Sequence, residues 1–314
     1  METVQDLVSD KKVNEAWGNA DFGSTPKRKI IGWWSGGIAS AVVCRLIIDD
    51  FGKENCRIIM IDTMNEDPDT YRFMMDCEEW YGVEIETIRN EEYDDIREVW
   101  YKHKSLNVSF GAICSSELKR KARKEWQKEN DYSAQAFGFD TDEIKRALSM
   151  KLNNPDVKPI FPLLNRMISK DQCIEMVKDA GIEIPNMYKL GFQNNNCFQT
   201  GCVQGGIGYW QKMGREHSEK FNAMSKIEHD LTDLRGEPVT MLKDQSREAE
   251  LKPKKQRLVF LKPHPDYPNN KDISQMEGRE PKSLVDCNGF CGIDDLEKNE
   301  EDQQEINYQI QMEF

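Results

Sequence analysis

The sequence predicts an α/β fold: a doubly wound, mostly parallel sheet followed by a smaller cysteine-containing region. Two patterns carry that expectation. Short apolar, β-rich runs alternate with segments of helical period through the first half of the chain, and such strand–helix–strand units give parallel sheets with right-handed crossovers and helices on both faces. A Ser-Gly-Gly turn also separates the first apolar run from the first helical segment, in KRKIIGWWSGGIASAVVCRLIIDDFG at residues 27–52.

In order, strands are expected at residues 29–34, 57–62, 83–88 and 134–139, and helices at 38–50, 67–81, 115–129, 142–152 and 170–179. Pro155, Pro159 and Pro162 mark a break in that core, and Gly181 fits the stop after the last helix. Beyond Gly191 the texture changes to GFQNNNCFQTGCVQGGIGYW, then a helix-like stretch at 211–233, then a polar, proline-dotted segment interrupted by an apolar run at 257–261. The simplest partition is an N-terminal arm at 1–26, a nucleotide-type α/β domain at 27–190, and a cysteine-containing region at 191–314 with an acidic tail.

Composition narrows the class. Charged residues make up 32% and hydrophobic residues 38% of 314, as in a folded protein with a sizeable core. No run reaches the ~18 apolar residues of a membrane span, and residues 1–25 lack the apolar stretch of a signal peptide. Nine cysteines without secretory features point to a reducing compartment, so a cytoplasmic location is expected. The net charge of −13 opposes broad nucleic-acid binding, although KRKARKEWQK at 119–128 and KPKKQR at 252–257 are locally basic.

Ligands of α/β sheets sit at the carboxyl ends of strands. There, Ser35-Gly36-Gly37 allows positive φ and close backbone approach. Its N–H groups, with those of the helix from Ile38, form a nest for pyrophosphate or sulfate, and Ser35 and Ser40 add hydroxyls. A tight connection is the alternative use of such a turn. After the second apolar run, Asp62, Thr63 and Glu66 stand where a ribose or Mg²⁺ needs a partner, while Asp67 suits a helix N-cap.

These segments carry a resemblance. SGGIAS at 35–40 resembles the SGG-x-x-S PP-loop of the ATP pyrophosphatase (adenine nucleotide α-hydrolase-like) superfamily. More closely, residues 29–210 resemble the phosphoadenosine phosphosulfate (PAPS) reductase family. DTMNEDPDTYRF is similar to its Asp-Thr-Gly-x-Glu-x-Pro-x-Thr motif, GAICSSELKRKA to its Cys-Thr-x-x-Leu-Lys stretch, and FGFDTDEIKRA to its Gly-x-Arg-x-x-Glu-Ser-x-Arg segment. The stretch from PIFPLLN to NNNC resembles its Pro-Leu…Gly-Ile-Pro…Gly-Phe…Cys region. The resemblance implies ATP or PAPS as the nucleotide. Ser35, Gly36, Gly37, Ser40, Asp62, Thr63, Glu66, Gly138 and Arg146 would bind it, and Lys119 and Arg120 would act on its phosphates. Two departures stand out. Ala39 occupies a position that is usually Asp in ATP-cleaving loops, and the C-terminus, INYQIQMEF, lacks the catalytic Glu-Cys-Gly-x-His segment of PAPS reductases.

Cys197-x4-Cys202 and Cys287-x3-Cys291 lie among turn formers. Four thiolates suit tetrahedral zinc, at about 2.3 Å per bond, or a [4Fe–4S] cluster; buried free cysteines or a redox pair are the alternatives. This cysteine pattern also resembles a subgroup of PAPS reductase-like proteins from phage and mobile-element genomes. Cys114, at the start of a basic helix, is either a reactive sulfur carrier with a lowered pKa or a small packing residue beside the ribose. Cys44, Cys56, Cys77 and Cys173 suit packing, and the four histidines show no ligand spacing. Three functions follow. The first is adenylation of a substrate with pyrophosphate release, for sulfur transfer to a tRNA or DNA base or a small molecule, with a sulfur donor protein as partner. The second is sulfonucleotide reduction, and the third is non-catalytic nucleotide binding.

Overall fold

The structure, a computed structural model, describes residues 29–282 apart from 109, 110 and 196. The N-terminal arm, the acidic tail, Cys287 and Cys291 lie outside the described residues. In chain order, β1 (Lys29–Trp33) leads into α1 (Ile38–Phe51), then β2 (Cys56–Ile61), α2 (Pro68–Tyr81), β3 (Ile85–Ile88) and α3 (Ile96–His103). A hairpin of β4 (Asn107–Val108) and β5 (Gly111–Ala112) precedes a π-helical turn at Ser115–Arg120 and α4 (Lys121–Glu129). There follow β6 (Tyr132–Ala136), α5 (Ile144–Asn153), β7 (Pro159–Ile160), α6 (Pro162–Asn165), α7 (Lys170–Asp179) and α8 (Asn186–Lys189). The last part holds α9 (Ile207–Glu216), α10 (Ser218–Arg235), β8 (Leu242–Lys243), α11 (Arg247–Glu250) and β9 (Leu258–Val259).

The central sheet is parallel throughout, in the order β3-β2-β1-β6-β7. The chain winds outward from β1 in one direction to β3 and in the other to β7. The switch point therefore falls at the carboxyl end of β1, the place where such sheets bind ligands. β1 is central because it is apolar on both faces. Trp33 packs with Trp126 and Phe137 on one side, and Trp34, just past the strand, packs with Phe73 on the other. α1 lacks a charged residue before Arg45 and is buried along most of its length.

The fifth strand departs from the expected pattern. Pro159 and Ile160, inside the expected break, form β7 at the sheet edge, where a proline opening the strand costs no ladder bond. The expected strand at 134–139 is shifted to Tyr132–Ala136, and Gly138 beyond its end packs against the main chain at the start of α1. The single helix expected at 115–129 is a π-helical turn followed by α4. The stretch at 211–233 belongs to two helices that meet at His217, whose φ of −134° is not helical.

A second apolar cluster crosses residue 190. Tyr93, Ile96, Val99, Trp100 and Leu118 pack with Met187, Trp210, Met213, Met224 and Val259. The segment from α3 to the π-helical turn is thus joined to the C-terminal helices by a shared core, and that junction frames the site.

Candidate functional site

The chain leaves β1 through Trp34, whose N–H donates to Ile59 O at 2.8 Å, and turns at Ser35-Gly36-Gly37. Gly36 has φ +82°, and a Cβ there would lie 2.8 Å from Thr70 Cγ2. The loop is closed by Ser40. Its hydroxyl accepts the Ser35 N–H and the Ser35 hydroxyl, both at 3.0 Å, and donates to Gly37 O at 2.8 Å. α1 begins with no side-chain cap, and its Ile38 N–H donates to the Tyr188 hydroxyl at 3.2 Å. From the neighbouring strand end, Gly138 presses on the same helix start; a Cβ there would meet Ser40 N at 2.9 Å.

Past β2, Asp62 accepts the Met64 N–H at 2.7 Å and the Tyr71 hydroxyl at 3.0 Å. Thr63 donates to Glu66 Oε1 at 2.8 Å, and Glu66 is 2% exposed. A carboxylate this deep needs a positive partner or strong donors, and Lys119 Nζ lies 4.0 Å from Glu66 Oε1. Asp67 caps α2 by accepting the Asp69 N–H at 2.9 Å.

These parts surround a cavity of about 50 Å³. Among the residues expected from the sequence, Ser35, Thr63, Cys114, Lys119, Cys197 and Cys202 line it together. Arg120 is placed elsewhere: it is buried and donates to the Ser116 hydroxyl at 2.7 Å. Arg146 is held by Glu143 and lies 5.0 Å from the Phe139 ring, and neither it nor Gly138 lines the cavity. Gly36, Gly37, Ser40, Asp62 and Glu66 form the frame behind the lining.

The Cys197 thiol lies 3.6 Å from the Thr63 hydroxyl and is pushed up to about 11 by burial and then by the Glu66 charge, against a lowering by Lys119. At neutral pH it is a protonated thiol. Cys44, Cys56, Cys77 and Cys173 are buried in the core, and burial raises each of them. Cys197 and Cys202 are the thiols of the expected four-cysteine set that fall among the described residues. Of the two carboxylates expected past β2, Asp62 is held by Met64 and Tyr71, and Glu66 is buried against Thr63 and Lys119.

Asn195 is the residue that sequence reasoning missed. It is 3% exposed and lines the cavity, and its Nδ2 donates to Gly36 O and to Thr70 Oγ1, both at 2.9 Å. Its Oδ1 has no hydrogen-bond partner among the described residues. The run Asn194-Asn195-Asn196 was the available signal, but turn formers give the same pattern. The histidines also hold a surprise: His264 Nε2 lies 3.4 Å from Asp233 Oδ1, and the three ligating atoms of Asp233, His264 and Asp266 lie within 4.8 Å of one another. Because His264 Nδ1 accepts the Asp266 N–H at 3.2 Å, Nε2 carries the proton and donates towards Asp233.

A five-stranded parallel sheet with a Ser-Gly-Gly loop at its switch point defines a PP-loop nucleotide-binding fold. Residues 29–204 match the phosphoadenosine phosphosulfate reductase domain, and the chain belongs to that family. Among solved structures, phosphoadenylyl-sulfate (PAPS) reductase from Candida auris in a phosphate complex is similar at 15% identity, with a TM-score of 0.43, over 62% of this chain and 88% of that one. NH3-dependent NAD synthetase from Campylobacter jejuni is similar at 14% identity, with a TM-score of 0.37, over 73% and 90% of the two chains. NMN synthetase from Francisella tularensis is similar at 17% identity, with a TM-score of 0.34, over 59% and 69%. No curated protein sequence matches the chain significantly. Among the described residues no helix is long and apolar enough to cross a membrane.

Proposed function

We propose that this chain is a nucleotide-activating enzyme. It binds ATP at the loop of residues 35–40, adenylates an acceptor with release of pyrophosphate, and replaces the activated oxygen with sulfur. The observation that carries this reading is one cavity lined by Ser35 of the loop, the Lys119 cation, and the sulfurs of Cys114, Cys197 and Cys202.

An acceptor oxygen attacks the α-phosphorus, the bond to the bridging oxygen breaks, and pyrophosphate leaves with Lys119 balancing its charge. A persulfide, delivered to one cavity thiol by a sulfur donor protein, attacks the activated carbon, and AMP leaves with the oxygen. A second thiol attacks the resulting disulfide, frees the thiolated product and leaves a protein disulfide that a dithiol reductant resets. The acceptor is a tRNA or DNA base carbonyl, or a small carbonyl compound. With Ala39 in the loop, a Mg²⁺ brought by the nucleotide would rest on Asp62 or Glu66.

Reduction of a sulfonucleotide is the second reading, favoured by the same three thiols. A thiolate attacks the sulfuryl sulfur of PAPS, adenosine 3′,5′-bisphosphate leaves, and a second thiol releases sulfite with formation of a disulfide. Calorimetric titration with ATP and with PAPS, alongside pyrophosphate and sulfite assays, separates the two. Tighter ATP binding and acceptor-dependent pyrophosphate release, reduced about 10²–10³-fold by Lys119→Met, support the first. Tighter PAPS binding with sulfite release replaces it. Tight nucleotide binding with neither product makes the chain a binding protein.

A further inference from the structure

Val203 and Gln204 line the first cavity and also a second one of about 400 Å³. The two differ in what they can hold. The first has room for a phosphate-sized group or a few waters, whereas the second falls in the range of about 300–1,000 Å³ typical of ligand sites.

The second cavity is built by a strap. Residues 276–282 cross the first turn of α9, where a Cβ on Gly208 would lie 2.3 Å from Glu280 O. Gln211 fastens the strap: its amide donates to Met276 O at 3.3 Å and Glu277 O at 3.1 Å, and its carbonyl accepts the Arg279 N–H at 3.0 Å. This brings Arg279 and Lys282 to the same cavity as Lys243 from β8, with Glu280 the one carboxylate among its described lining residues.

Elsewhere in the C-terminal part, Lys212 pairs with Glu216, Lys255 with Glu237 and Lys271 with Asp244. Lys243, Arg279 and Lys282 have no ion-pair partner among the described residues. In a chain of net charge −13, three unpaired cations around one ligand-sized cavity create a local positive field suited to an anion.

We propose that the second cavity docks the acceptor substrate by its phosphate, with the group to be modified directed past Gln204 towards the mouth of the first cavity. The term acceptor rests on the adenylation reading; the phosphate site itself does not. The phosphate belongs either to a polynucleotide strand or to a free mononucleotide.

The test uses the full chain with the first site filled by a non-hydrolysable ATP analogue. Fluorescence anisotropy follows a labelled 12-nucleotide single strand, and calorimetry follows uridine 5′-monophosphate. Binding of the strand alone makes the source a polynucleotide, and binding of both or of the mononucleotide alone makes it a free nucleotide. The triple variant Lys243→Glu, Arg279→Glu, Lys282→Glu is expected to weaken whichever probe binds at least tenfold and to flatten the strand's log K against log salt slope by about 2, at ~0.7 per phosphate contact. Affinity for the ATP analogue stays unchanged, which also reports that the variant is folded. Equal probe binding by wild type and variant, or no binding of either probe to wild type, overturns the proposal. Probe binding that needs the three cations in a protein with no affinity for the ATP analogue overturns the adenylation reading instead and leaves the phosphate site standing.

Discussion

Asn195 donates to the carbonyl oxygen of Gly36, 159 positions earlier, at 2.9 Å, and the same nitrogen donates to the Thr70 hydroxyl at 2.9 Å. The asparagine-rich segment is therefore the third side of the Ser-Gly-Gly loop, tying it to α2. The Asn195 Oδ1 atom, buried without a partner among the described residues, adds an acceptor to the cavity.

Asn195→Ala removes both bonds. At about 1 kcal/mol each, and 1.4 kcal/mol per tenfold, nucleotide affinity should fall about 10–30-fold in a variant whose circular dichroism is unchanged. Asn195→Asp should do at least as much harm, since it sets a carboxylate against the Gly36 carbonyl. Wild-type affinity in both would remove Asn195 from the loop's support.

The strands and the loop were legible because their signals are local: short apolar runs buried on both faces, and Ser-Gly-Gly at a strand end. β7 was not, because two residues opened by a proline carry no strand signal of their own; they pair only because β6 offers an open edge. Ser35, Thr63, Lys119 and Cys197 line one cavity although they come from separate motifs, whereas Arg120 and Arg146 do not line it. A basic residue in a motif is placed by its neighbours, here Ser116 for one and Glu143 with Phe139 for the other. The second cavity was illegible for a further reason: it needs Lys243 and Arg279 brought together by a strap that no periodicity announces.

The Cys197 thiol, moved from 9.0 to about 11, should alkylate slowly near neutral pH. The thiolate is the reactive form, and at pH 8 its population is about 100-fold below that of an unperturbed cysteine. Glu66 raises this thiol and Lys119 lowers it, so Glu66→Gln should speed iodoacetamide modification and Lys119→Met should slow it. Peptide mass spectrometry on chelator-treated protein from pH 7 to 10 measures this; wild-type rates in both variants would show that their charges do not reach the sulfur.

Glu228 gives stability a pH dependence. It is fully buried, with Oε1 accepting the Met241 N–H at 3.0 Å and Oε2 the Leu261 N–H at 2.7 Å, and burial pushes its carboxyl from 4.5 up to about 8. A folded-state pKa above the unfolded one means that the contribution is full below about 4.5 and is lost as pH rises through about 8. Urea midpoints should fall over that window. Glu228→Gln should flatten the fall while costing about 1–3 kcal/mol at pH 6, since an amide offers one acceptor where two backbone donors wait. A wild-type slope in that variant would place the titration elsewhere.

Gly36 and Gly138 both brace the loop, and their substitutions should respond differently to a second change. A Cβ on Gly138 meets Ser40 N at 2.9 Å, Ser40 Cα at 3.1 Å and Ala39 C at 3.2 Å, all of them main chain. No rotamer change relieves that contact. Gly138→Ala must therefore separate the end of β6 from the start of α1, costing about 1–3 kcal/mol and weakening nucleotide binding together. At Gly36 the nearest obstacle is the methyl Cγ2 of Thr70 at 2.8 Å. Thr70→Ser removes that methyl and keeps the hydroxyl that Asn195 uses. Gly36→Ala should lose nucleotide affinity, and Thr70→Ser should restore part of it; what remains is the strain of a non-glycine residue at φ +82°. The same Thr70→Ser change should leave Gly138→Ala as impaired as before. Thermal melts and calorimetric titration of the two pairs measure this. If Thr70→Ser failed to help Gly36→Ala, the backbone strain would outweigh the side-chain contact; if it rescued Gly138→Ala, the two glycines would brace the loop through a shared movement of α2.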